Sequence, residues 1–120
     1  MPDPFTRLSA QGWVWNAANA AGCIDGLFYS VSADRKTIWF ETGAEMDLGG
    51  VKTDRGAYRV LGQGPQSIDM AMEQEWRRDD TGDLVWWRLI FVTAETFVWV
   101  RSDWHFPQAT KPLTACAPIG

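Results

Sequence analysis

A chain of 120 residues with 46% hydrophobic and 22% charged residues has the length and composition of one globular domain, not of a disordered segment. Its net charge of −4 argues against nucleic acid and anionic membrane as partners, since both call for a basic face. Its longest apolar runs, such as 89–92, fall far short of the roughly 20 residues that span a bilayer, so no membrane insertion is expected.

Taken in chain order, the first seven residues lack the basic and apolar regions of a signal peptide, and residues 1–10 are expected to be irregular. Residues 8–19 carry Trp13 and Trp15 on one face of a short strand, and the small residues 17–22 read as a loop with a helical turn. Residues 27–31 and 37–42 read as a hairpin around the polar turn 32–36. The stretch 43–56 holds Gly49-Gly50 and mixed charge, and it is expected to be a long mobile loop or lid. A short strand at 58–61 follows, closed by Gly62-Gln63-Gly64-Pro65.

The second half alternates more cleanly, with strands expected at 67–77, 83–92 and 96–104 and tight turns at 79–82 and 94–95. Setting Arg78 opposite Asp83 places Trp76 against Val85, Gln74 against Trp87, Met72 against Leu89 and Met70 against Phe91. On the other face Glu75 meets Trp86 and Glu73 meets Arg88. Closing the next hairpin over Ala94-Glu95 sets Val98 against Phe91, Val100 against Leu89 and Ser102 against Trp87, with Arg101 beside Arg88. The fold expected is a single all-β domain over 1–120, with irregular termini at 1–10 and 106–120. Its antiparallel meander of seven or eight short strands closes into a small up-and-down barrel or a strongly bent sheet.

Gly12-Trp13-Val14-Trp15 on the first strand, the meander, and Arg101 late in the last long strand together resemble the lipocalin-like (calycin) small barrels. In that family a glycine–x–tryptophan on the first strand packs against a late arginine. Here Gly12 is followed directly by Trp13, with Trp15 one step further. The resemblance covers fold grammar over most of the chain and implies a ligand-binding barrel.

Two functional readings follow. In the first, Trp87, Trp76, Gln74, Ser102, Trp104 and Met72 line a pocket that binds a small apolar or aromatic ligand without catalysis. A filled core in which Gln74 and Ser102 bond each other or the backbone accounts for the same residues. In the second, Trp86, Arg88, Trp99 and Arg101 form an exposed face of a protein-interaction or inhibitor domain. Cation–π stacking and a salt bridge with no partner account for that face equally. A third, weaker reading pairs Asp103 with His105 for acid–base work. Asp79-Asp80-Thr81-Gly82-Asp83 is a polar hairpin turn in preference to a calcium loop, because the twelve-residue EF-hand pattern is absent. With a single histidine and no such pattern, neither a metal nor a cofactor is expected.

The two cysteines, Cys23 and Cys116, are too far apart for a CxxC redox or zinc motif. Paired, they would tie the C-terminal tail to the body, as in a periplasmic or secreted domain whose leader has been removed. Two free thiols in a cytoplasmic chain are the alternative.

Overall fold

The computed structural model describes residues 3–116, apart from the Ala44 side chain. A short helix, α1 (Pro4–Ser9), precedes eight strands: β1 (Trp13–Val14), β2 (Leu27–Val31), β3 (Thr37–Leu48), β4 (Val51–Gln63), β5 (Ser67–Met72), β6 (Trp87–Thr93), β7 (Thr96–Arg101) and β8 (Leu113–Ala115). Each strand pairs antiparallel with its neighbour in sequence, and β8 returns to β1, so the sheet is a closed up-and-down barrel. Closure gives every strand a neighbour on each side, although β2 meets β1 only at Leu27 and residues 51–56 of β4 pair with β3 alone. No described helix is long and apolar enough to cross a membrane.

Residues 1–2 and 117–120, part of the termini expected to be irregular, lie outside the described residues. Within those termini two regular elements correct the expectation: α1 at one end of the chain and β8 at the other. The helix forms because Asp3 caps it, its carboxylate accepting from the Thr6 amide at 3.0 Å, and because Pro4 stands at the first helical position. It buries Phe5 and Leu8 against one end of the barrel. Arg7 is buried with them: it donates to the Thr93 carbonyl at 2.9 Å and lies 4.2 Å over the Phe91 ring. Trp13 is wholly buried, its indole donating to the Leu8 carbonyl at 3.0 Å and its ring packed edge-on to Phe97 at 4.8 Å.

The expected lid over 43–56 is instead the tip of a long hairpin. β3 and β4 continue through it, with an irregular register between Glu41 and Met46 and a turn at Gly49-Gly50, both at positive φ. Asp47 accepts from the Gly50 amide at 2.6 Å and fixes that turn. Its tip is anchored: Leu48 is buried in the core, and a Cβ on Gly49 would lie 3.1 Å from the Trp76 ring.

Two registers also differ from expectation. Between β5 and β6, Met70 pairs with Trp87 and Ile68 with Leu89. The ladder ends at Met72 and resumes at Trp87, and the intervening 73–86 form an irregular connection joined by the Arg78–Leu84 bridge. That slide covers an even number of residues, so Met70, Met72, Leu89 and Phe91 still face inward and are buried. Between β6 and β7 the difference is a single residue. An irregularity between Phe91 and Thr93 sets Phe97 opposite Phe91, Trp99 opposite Leu89 and Arg101 opposite Trp87. A one-residue slip exchanges the faces, so Phe97 and Trp99 turn into the core where Val98 and Val100 were expected.

Cys23 and Cys116 form a disulfide across 93 residues, and Cys116 also donates its amide to the Gly12 carbonyl at 2.9 Å. Reducing the bond is expected to lower unfolding stability by about 2–5 kcal/mol, read from urea denaturation. Gly12 carries the close approach: a Cβ there would lie 2.6 Å from Cys23 Sγ and 2.7 Å from the Phe28 ring. Gly12→Ala should therefore cost about 1–3 kcal/mol in the oxidised protein. A smaller loss after reduction would assign the clash to the sulfurs, and an equal loss would assign it to Phe28.

Candidate functional site

α1 and the β6–β7 turn share one end of the barrel, since Arg7 reaches Thr93. The opposite end is built from the 15–26 segment, the β3–β4 tip, the 73–86 connection and the 102–112 connection. A cleft of about 260 Å³ opens there, lined by Trp15, Tyr58, Arg77, Trp87, Trp99 and Thr110.

The strands place the aromatic walls. Tyr58 on β4 points inward, paired with Met72 and with Ile38, and stacks on Trp99 at 5.6 Å between centroids. Trp87 meets Trp99 edge-on at 6.3 Å and Trp104 at 5.7 Å. Thr110 accepts from the Trp99 amide at 3.0 Å and so fixes the rim to β7.

Glu75 organises the polar side. Its side chain is only 2% exposed, and it takes a two-pronged contact from Arg77 at 2.7 and 3.2 Å. The same carboxylate accepts from the Trp87 indole at 2.7 Å and from the Trp76 amide at 3.1 Å. Burial alone would raise the Glu75 carboxyl. The hydrogen bonds from Arg77, the Trp87 indole and the Arg77 amide outweigh that and hold it below the ordinary carboxylate range. Arg77 in turn lies between two indoles, 4.3 Å from the Trp76 ring centre and 4.8 Å from that of Trp87. Burial pushes the Tyr58 phenol well above its usual range, with Arg77 pulling partly back, so Tyr58 stays an O–H donor at neutral pH.

Of the residues expected to line a pocket, the structure brings Trp87, Trp104 and Trp76 into one cluster, with Trp76 joined through Arg77. Met72 is buried in the core. Gln74 and Ser102 do not flank Trp87. Gln74 is exposed beside an outer groove, and Ser102 accepts from the Trp86 amide at 3.0 Å. Both corrections follow from the register: the ladder stops at Met72, and Arg101 stands opposite Trp87 where Ser102 was expected.

The expected exposed face also changes. Trp99 is 6% exposed, turned inward by the one-residue slip, and does not share a surface with Trp86. Trp86, Arg88 and Arg101 do border one shallow depression of about 100 Å³, together with Ser102 and Trp104. Arg88 pairs with Asp69 at 2.7 and 3.0 Å, not with Glu73, and lies 5.6 Å from the Trp86 ring centre. Arg101 is engaged by Asp103 at 2.9 Å. Trp13 packs against Phe91 and Phe97, and the arginine above Phe91 is the early Arg7, where the family pattern places a late one.

Asp103 and His105 do not pair: the Asp103 carboxylate is held by Arg101, and His105 lies exposed, its amide donating to the Gln108 side chain. Asp79 caps the 79–83 turn by accepting from the Thr81 and Asp83 amides at 2.9 and 3.1 Å.

Sequence reasoning missed Trp15, Tyr58, Arg77, Thr110 and Glu75. The spacing Glu75-Trp76-Arg77 puts opposite charges two residues apart around a tryptophan, a signal of a local ion pair that could have marked 73–86 as built structure. A scan against protein-family models and searches of curated proteins and solved structures found no match to this chain.

Because Glu75 is held below its ordinary range, its ionised form favours the folded state. That contribution is full above the ordinary glutamate range and is lost as pH falls through the lowered value. Glu75→Gln should therefore be less stable than wild type at neutral pH, with the gap closing on acidification. Paired urea titrations across pH would detect this, and a gap that stayed constant in acid would mean Glu75 contributes only through its shape.

Proposed function

We propose that the barrel mouth binds a small, flat, apolar or aromatic molecule without catalysis. The carrying observation is the cleft of about 260 Å³ walled by Trp15, Trp87, Trp99 and Tyr58. Burial of apolar ligand surface at roughly 25 cal/mol per Å² supplies the affinity. The Tyr58 hydroxyl, which makes no hydrogen bond to the described residues, supplies an orienting donor. Sites for drug-sized ligands run to about 300–1,000 Å³, so a cleft of this size suits a molecule of one or two rings. Glu75 and Arg77 hold Trp87 in place before the ligand arrives, which lowers the ordering cost of binding.

The closed eight-stranded barrel supports a lipocalin-like reading as an analogy of fold. The Cys23–Cys116 bond supports an oxidising compartment, the periplasm or the cell exterior.

The neutral two-ring naphthylamine probe 6-propionyl-2-(dimethylamino)naphthalene tests the reading by fluorescence titration. Saturable enhancement is expected, with affinity reduced roughly tenfold or more in Trp87→Ala. Near-UV circular dichroism establishes that the variant is folded. Affinity unchanged by Trp87→Ala, or no saturable signal in the wild type, would sink the proposal.

A further inference from the structure

On the outer wall of the barrel, sharing no lining residue with the mouth cleft, lies a larger groove of about 440 Å³ across β2, β3 and β4. Its geometry follows from the register. One outward row runs Phe28–Glu41–Arg55 and the next runs Ser30–Trp39–Ala57. Adjacent rows on one face lie about 7 Å apart, so Phe28 and Trp39 hold diagonal positions across β2 and β3, the Phe28 ring leaning toward Gly12. Both are half-exposed, at 49% and 48%. Ala57, small and paired beside Trp39, leaves that side of the indole uncovered. Gln74 borders the groove where the Glu73 amide, donating to the Ala57 carbonyl at 2.8 Å, continues the sheet.

The polar groups here are free. The Gln74 amide, the Glu41 carboxylate, the Ser30 hydroxyl and the Trp39 indole N–H make no hydrogen bond to any described residue. Arg55 has an exposed contact with its neighbour Asp54 at 3.4 Å, of a kind that contributes little.

We infer that this groove is a carbohydrate-binding site, with Trp39 and Phe28 as stacking platforms for neutral sugar rings. Two features carry the inference. Facing Glu41 and Arg55 cancel in charge, which favours a neutral ligand over an anion or cation. A purely apolar ligand would cover those two groups and Gln74 without satisfying them, a cost a polyol avoids. A pyranose ring meets the remaining demands: its C–H faces are weakly positive against the negative face of an indole, and its hydroxyls both donate and accept. The site is separate from the mouth, and its test does not rest on the ligand proposed there.

Indole N–H resonances report on the eight tryptophans individually in ¹H–¹⁵N spectra. Maltose, cellobiose, lactose and N,N′-diacetylchitobiose are titrated in turn against the whole oxidised protein. At least one is expected to shift the Trp39 indole signal saturably, with a dissociation constant of about millimolar order, as suits an open groove. Trp39→Ala and Gln74→Ala should each weaken binding of that sugar, the former by roughly tenfold or more. Naphthylamine binding at the mouth should be unchanged in both. Gln74→Ala changes an exposed side chain and keeps the test open if Trp39→Ala folds poorly. Absence of a saturable Trp39 shift with all four sugars would overturn the inference. So would shifts confined to Trp87 and Trp99, which would move the sugar to the mouth.

Discussion

Closing a sheet into a barrel requires the last strand to find the first, and here that seam is short. Trp13 stands opposite Ala115 and Val14 opposite Thr114. Two residue pairs are weak compared with the long β3–β4 ladder, so the seam depends on what surrounds it. On the inside, Trp13 is clamped between the Phe91 and Phe97 rings and the Leu8 carbonyl. On the outside, the Cys23–Cys116 bond lies against Gly12 and staples the same place covalently. Burial of one large aromatic and removal of unfolded-state freedom by one covalent link act at the same point.

The other end of the barrel is organised differently, around a carboxylate. Glu75 is nearly enclosed, yet its oxygens are satisfied by a guanidinium, an indole and backbone amides. A buried charge without such partners would be strongly unfavourable. With them, it fixes the positions of Trp76, Arg77 and Trp87 together. Apolar burial plugs the α1 end, while a polar network shapes the mouth. The two ends thus differ in chemistry, one packed with apolar side chains around α1 and the other braced by the Glu75 carboxylate.

Much of the fold was legible because alternation survives where one face is buried. The pattern 87–92 and 96–101 announced two strands, and the polar turn 32–36 announced the first hairpin. The β3–β4 tip was opaque: Glu, Thr, Gly, Ala and Asp predominate there, and few apolar side chains, Met46 and Leu48 among them, join the backbone pairing in holding it. The inward position of Trp99 was opaque for a different reason. Pairing Arg101 with a charged ladder was chemically sensible, but one extra residue at the Phe91–Thr93 irregularity reversed every face beyond it. The site suffered more than the fold, since Trp15, Arg77 and Thr110 reach the cleft from connecting segments in which no periodicity exists to be read.

The bond between Cys23 and Cys116 also has a topological meaning. It turns residues 23–116, from the approach to β2 through β8, into a single covalent ring. A cut in any connection within that ring, whether the β3–β4 tip, the 73–86 segment or the 102–112 segment, leaves one molecule where an open chain would give two. The two sides of the nick stay tethered at high effective concentration, so re-pairing of their strands remains an intramolecular event. The barrel can thus lose the continuity of its backbone at a surface loop without losing its subunit, a form of resistance to proteases that comes from connectivity and not from rigidity.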